Sequence, residues 1–198
     1  MTDFIQHLET IDQNVSLWIN SFHTELTDKI WLFFSDRLIW LPLYLLVLGL
    51  IIHKRGWKRG LLAVLFIALI ILTSDQFCNL VKNAVCRLRP SNNPAMIARG
   101  LNYPAGIGSH IYGFFSAHAA NAFGFAVAAG LILRSWAWGS GLCVWATLVG
   151  ISRVFVGKHF LGDVLTGVIV GTVIALIFCL IYFRLLKPRT AKSAGASL

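Results

Sequence analysis

A chain of 198 residues that is 57% hydrophobic and 13% charged, with a mean hydropathy of +0.73, excludes an ordinary soluble globule and fits one compact membrane domain. Its formal net charge of +9 is gathered at the edges of apolar segments, which argues for membrane topology and an anionic ligand and against a nucleic-acid partner.

The first ten residues, MTDFIQHLET, have no basic start and no apolar run, so no cleavable secretion signal is expected and the first true span does the targeting. From Asn14 to Phe34, apolar residues (Val15, Leu17, Trp18, Ile19, Phe22, Leu26, Ile30, Phe33) recur at roughly helical spacing among charges. That pattern predicts a helix lying in the membrane interface. Apolar runs then cover Leu38–Ile52, Leu61–Thr73, Ala119–Leu133, Gly139–Ile151 and Val164–Phe183. With their flanks most reach the ~20 residues that a crossing helix needs, giving five spans. The expected fold is therefore all-α, an integral membrane helical bundle, with residues 1–37 an interfacial segment, 38–186 the embedded domain and 187–198 a tail. Between the second and third runs, Ser91–Phe115 contains Pro94, Pro104 and four glycines and is too irregular to span.

Charge sets the expected orientation. Lys54, Arg55, Lys58 and Arg59, then Arg134, then Arg184, Lys187, Arg189 and Lys192 flank the spans on one side with no acid among them, and the positive-inside rule makes that side cytoplasmic. The acids of the N-terminal segment then lie outside. So does a second group of cations, Lys82, Arg87, Arg89, Arg99, Arg153 and Lys158, which the rule does not explain. Of the four cysteines, Cys143 and Cys179 sit inside apolar runs as small hydrophobes, and no spacing forms a disulfide framework.

Three polar stretches on the outer side carry the chemistry. Lys82–Pro90 (KNAVCRLRP) closes the second span, with Pro90 expected to stop the helix. Arginine offers a planar fork to phosphate oxygens and lysine a compact charge, although helix-end anchors alone would explain this stretch. Ser116 precedes an apolar run and is the predicted N-cap of a helix whose free N–H groups can face an anion. His118, in the first turn, is placed to protonate a departing oxygen. In Ser152–Asp163 (SRVFVGKHFLGD), His159 and Asp163 lie one helical turn apart, so the carboxylate can hold one imidazole nitrogen and leave the other free to attack. Asp163 is equally a candidate N-cap for the last span. Arg153 can meet the same phosphate. Asp75 and Asp163 are the only carboxylates after Asp36, which disfavours a metal mechanism; Asp75 is expected at a helix end or beside a site cation.

The residues K-x6-R-P (Lys82, Arg89, Pro90), S-x-H (Ser116, His118) and S-R-x5-H-x3-D (Ser152, Arg153, His159, Asp163) resemble the type 2 phosphatidic acid phosphatase family. Phe115 and Ala117 stand where that family usually has proline and glycine, which alters the stiffness of the loop and the approach of its backbone. The family commonly has six spans, so residues 14–34 would replace one. The resemblance implies a phosphatase without metal or other cofactor. His159 would be the nucleophile, Asp163 its orienting group and His118 the general acid, while Lys82, Arg89, Ser116, Ala117 and Arg153 would hold phosphate oxygens. A site at the outer membrane edge suits a membrane lipid phosphate as substrate, with Trp40, Tyr112, Phe114 and Phe115 near the interface, and acid-poor loops without an organellar signal suggest a bacterial inner membrane. Arg87, Arg99 and Lys158 exceed the motif, which favours undecaprenyl diphosphate ahead of lipid A phosphate, with phosphatidylglycerol phosphate, phosphatidic acid and phosphotransfer between lipids as further alternatives. Oligomeric state has no signal in the sequence.

Overall fold

The structure is a computed structural model describing residues 2–107 and 110–187; the predicted tail beyond Lys187 lies outside the described residues. The described residues contain eight α-helices and no strands: α1 Thr2–Asn20, α2 Glu25–Ser35, α3 Leu41–Arg55, α4 Trp57–Val85, α5 Pro94–Ala98, α6 Ala117–Leu133, α7 Trp136–Phe155 and α8 Leu161–Leu186. Each of the five predicted apolar runs lies in or largely in one of α3, α4, α6, α7 and α8. Of these, α4 (29 residues), α7 (20) and α8 (26) are long and apolar enough to cross a membrane, while α6 is a shorter apolar helix of 17 residues. Their outward faces expose Leu65, Leu72, Val144, Leu176 and Leu180, the surface that lipid covers.

The centre of the bundle is α6, which packs on α3, α4, α7 and α8. Its sequence explains this: Ala119, Ala120, Ala122, Gly124, Ala126, Ala128 and Ala129 are all buried, so neighbouring backbones approach closely. A Cβ on Gly171 would lie 2.1 Å from the Ala120 carbonyl oxygen, and one on Gly167 would lie 2.5 Å from that of Ser116. These two glycines of α8 thus set the start of α8 against the start of α6. Deeper in the bundle, Ile51, Ile70, Phe125, Ile132, Trp145 and Tyr182 fill the shared core.

Two expectations need correction. The single helix over residues 14–34 is two helices, because Thr24 caps α2: its hydroxyl accepts the Thr27 N–H at 3.2 Å and its own N–H donates to the Thr27 hydroxyl at 2.7 Å. Asn20, fully buried at the end of α1, donates to the Asn102 and Phe155 carbonyls at 2.9 Å, pinning α1 to α7 and the long loop. The second correction concerns α4, which ends at Val85 before Pro90 is reached. Cys86 takes a left-handed conformation (φ 52°) with its N–H on the Lys82 carbonyl, leaving Arg87 and Arg89 outside the helix.

The two ends of the bundle carry different charges. At one end Arg55 donates to the Ile132 carbonyl, Tyr182 donates to the Arg59 carbonyl at 3.2 Å, and Arg134 lies over the Phe183 ring, so the predicted cytoplasmic basic loops cluster together. The three polar stretches meet at the other end. All four cysteines are free thiols.

Candidate active site

The chain leaves α4 as an extended segment that pairs with residues 111–113. The Arg89 N–H donates to the Ile111 carbonyl at 3.0 Å, the Gly113 N–H donates to the Arg87 carbonyl at 2.8 Å, and Arg89 Nε donates to the Tyr112 carbonyl at 3.1 Å. A side chain on Gly113 would crowd this junction, since a Cβ there lies 3.0 Å from Arg89 Cγ and 3.5 Å from Asp163 Oδ2. The first and third polar stretches are therefore joined through the loop that precedes the second.

Ser116 is buried and caps α6, its hydroxyl accepting the Ala119 N–H at 3.4 Å, as the sequence predicts. Its own N–H donates to the Asp163 carbonyl at 2.9 Å, which fixes the start of α6 against the start of α8. Ala117, also buried, opens the helix, so its N–H belongs to the first turn that has no intrahelical partner. Lys82 is half-buried in the last turn of α4, beside Cys78, whose thiol donates to the Phe115 carbonyl at 3.1 Å. It stands at the edge of the site and makes no ion pair among the described residues.

His159 lies in the turn between α7 and α8 and is 1% exposed; Asp163 is fully buried in the first turn of α8. His159 Nδ1 lies 3.5 Å from Asp163 Oδ2, within ion-pair reach but too long for a good hydrogen bond. The same oxygen accepts the Phe160 N–H at 3.0 Å. Phe160, not Asp163, is the N-cap of α8, so the carboxylate acts from inside the first turn. Burial pushes the His159 imidazole down to about 4; Asp163 opposes this, and Arg153 and Arg89 add to it. At neutral pH His159 is thus an uncharged imidazole, with Nε2 left free by the carboxylate at Nδ1.

Arg153 is buried in the last turn of α7, with Nη1 on the hydroxyl of Ser35. His118, half-buried in the first turn of α6, accepts from Arg37 Nε at Nε2 (3.1 Å), and Arg37 Nη2 lies 3.4 Å from its Nδ1. The charges of Arg153, Arg37 and Arg89 all reach His118, as does His159, so the two imidazoles share one site. Burial lowers the Arg89 pKa, an effect that Asp163 partly offsets.

Several expectations change here. Arg87 is not free for phosphate: it donates to Asp163 Oδ1 at 2.7 Å and to Asp12 at 2.8 Å, and it lies over the Phe160 ring at 4.2 Å. Burial opposes its charge, but Asp163 and Asp12 more than offset this and raise its pKa. Arg99 donates to Asn14 Oδ1 at 2.6 Å and Lys158 donates to the Gly106 carbonyl. The three cations beyond the motif thus each have a partner within the protein, which weakens the reason for preferring a diphosphate. Asp75 neither caps a helix nor pairs with a site cation; it accepts from Asn121 Nδ2 at 2.9 Å. Phe115 is buried and Trp40 packs at 5.6 Å against Trp145, so neither lies free at the interface. Sequence reasoning missed Ser35 and Arg37, which sit in no motif. No cluster of three or more histidine, cysteine or acidic residues able to hold a metal occurs among the described residues.

The family model of the PAP2 superfamily matches residues 57–187. The chain is 34% identical over 168 residues to a lipid A 4'-phosphatase of Bacteroides thetaiotaomicron, covering 84% of this chain and 75% of that protein. It is 26% identical to a lipid A 4'-phosphatase of Porphyromonas gingivalis, covering 86% and 72%. Among solved structures, a transmembrane PAP2-type phosphatidylglycerolphosphate phosphatase from Bacillus subtilis has the same fold, with a TM-score of 0.70 at 20% identity over 92% of this chain and 89% of that one. Aquifex aeolicus LpxE has a TM-score of 0.63 at 21% identity, over 83% and 92%. A helical membrane bundle of this fold and sequence is a PAP2-type phosphatase, a hydrolase of phosphoric esters. The chain belongs to the PAP2 superfamily and is a bacterial membrane lipid phosphatase.

Proposed function

We propose that this protein removes a phosphate monoester from lipid A or a similar glycolipid, through a phosphohistidine on His159. The observation that carries the chemistry is the buried His159–Asp163 pair set beside His118, Arg89 and Arg153. His159 Nε2 attacks phosphorus, the bond to the leaving oxygen breaks, and His118 donates the proton that this oxygen takes. Water then attacks phosphorus, the P–N bond breaks, and His118 takes the proton that water loses. Arg89, Arg153, Lys82, the Ser116 hydroxyl and the first N–H groups of α6 at Ala117 stabilise the charge on the phosphoryl oxygens, and no metal takes part.

The choice of substrate rests on the similarity to two lipid A 4'-phosphatases and on the internal engagement of Arg87, Arg99 and Lys158, which leaves a set of cations suited to one phosphate. The site then faces the periplasm from the inner membrane, opposite the basic loops. Purified protein offered lipid A, undecaprenyl diphosphate, phosphatidylglycerol phosphate and phosphatidic acid should release phosphate fastest from lipid A, with no added acceptor. Faster release from undecaprenyl diphosphate would return the assignment to a diphosphate, and release only with an acceptor would make the protein a phosphotransferase.

A further inference from the structure

Arg37 lies in the linker between α2 and α3, twenty residues before the stretch that matches the family model. The linker is held firmly on the site. The Asp36 N–H closes α2 on the Leu32 and Phe33 carbonyls, and the Asp36 carboxylate accepts the Leu38 N–H at 2.9 Å. Trp40 donates from Nε1 to the Phe34 carbonyl at 3.2 Å and packs edge-on against Phe33 and Trp145. Two residues before Arg37, on the other side of Asp36, Ser35 meets the Arg153 guanidinium. The linker therefore touches the site at two neighbouring points, one on a phosphate-binding arginine and one on the general acid.

Among the described residues, Arg37 pairs with no carboxylate. It directs Nε and Nη2 at an imidazole, a neutral partner, in the company of Arg153 and Arg89. Three guanidinium groups around two imidazoles repel one another unless an anion lies between them, and phosphate accepts charge-assisted hydrogen bonds that are shorter and stronger than a bond to neutral imidazole. Arg37 approaches from the His118 side, the side on which the leaving oxygen must lie if His159 attacks in line. It also lines, with His118, Asp36, Asp75 and Asn121, a cavity of about 200 Å³ that runs from this rim into the bundle.

We propose that Arg37 is a further substrate-binding residue of this site: its guanidinium grips the phosphate from the leaving-group side, exchanging the His118 ring for phosphate oxygens and so freeing His118 Nε2, the acceptor of the Arg37 N–H, to take up a proton from water and deliver it to the leaving oxygen. This assignment rests on the reading of the site as a phosphatase centre. It makes the segment before the stretch that matches the family model a contributor to substrate binding.

The test compares wild type with Arg37→Ala and Arg37→Lys in detergent-solubilised full-length protein, each checked for an unchanged melting temperature. KM and kcat are measured on the best lipid phosphate, and vanadate binding is measured by the thermal shift it produces, which needs no turnover. Arg37→Ala should raise both KM and the vanadate concentration for half-maximal shift about tenfold or more, with a smaller fall in kcat, and Arg37→Lys should recover part of the loss. An Arg37→Ala protein that folds and keeps both values within about twofold of wild type would overturn the inference while leaving the phosphatase reading intact. Wild-type protein that neither releases phosphate nor responds to vanadate would instead sink the reading on which it rests.

Discussion

The two flanks of the His159–Asp163 pair are built from different N-terminal elements, and they differ in charge balance. On the α1 flank, Arg87 is surrounded by Asp12, Asp163 and the more distant Glu9, and Asp12 also accepts the Gly162 N–H at 2.8 Å. Positive charge there is matched by acids, so the flank is a brace that locks α1 to the start of α8. On the α2 flank, Arg153 meets a serine hydroxyl and Arg37 an imidazole, with no carboxylate paired to either among the described residues. Unmatched positive charge next to two imidazoles suits an incoming phosphate. Similar residue types on the two flanks thus differ in the partner that the N-terminal helices bring, and under the proposed mechanism one flank serves stability and the other chemistry.

Substitutions at the imidazoles should have the largest effect. His159→Ala should lower phosphate release by about 10⁴-fold or more, as expected for loss of a covalent nucleophile, and His118→Ala by about 10²–10⁴-fold; EDTA should leave the wild-type rate unchanged. A His159→Ala protein that still turned over would mean that the pair is not the reacting centre. The contrast between flanks predicts the next effects. Arg153→Ala should cost about 10²–10³-fold in kcat with the fold intact, in the range found for a lost transition-state donor. Arg87→Ala should instead act first on stability, by about 3 kcal/mol, because it strands the buried Asp163 carboxylate and uncouples α1. Thermal melts and single-turnover rates on the two variants separate these outcomes. Equal melting temperatures with equal rate losses would erase the distinction between brace and site.

Much of this was legible in the sequence. Apolar runs between basic loops gave the five helices that bear them, and Ser116 before an alanine-rich run gave the cap of α6, because hydropathy and capping are local properties. The i, i+4 spacing of His159 and Asp163 placed them together although His159 itself lies just before the start of α8. What stayed hidden depends on contacts across the chain. Arg87 looked like one more phosphate-binding cation until Asp12, 75 positions away, came to hold it. Arg37 sits in no motif and gains its meaning only by meeting His118, 81 positions on. The early end of α4 is local but unsignalled, since Cys86 adopts a left-handed turn that sequence would assign to glycine or asparagine.

The smallest effect is also the most discriminating, because it tests how the brace speaks to the site. The His159 pKa of about 4 is set by burial against the opposing pull of Asp163, and kcat/KM reports ionisation of the free enzyme. Activity should therefore hold as pH falls through 6 and decline tenfold per unit only below about pH 4, once protonation removes the nucleophile. Arg87 shares Asp163 with His159 and spends part of that carboxylate's charge. Replacing it with a neutral residue of similar volume, Arg87→Met, leaves more of the negative charge to the imidazole and favours its protonated form. The acid limb should then move to higher pH, by about one unit or less. A limb that stayed in place, in a variant whose melting temperature nonetheless fell, would show that the brace holds α1 without tuning the nucleophile; a limb that moved to lower pH would contradict the geometry in which Asp163 serves both residues.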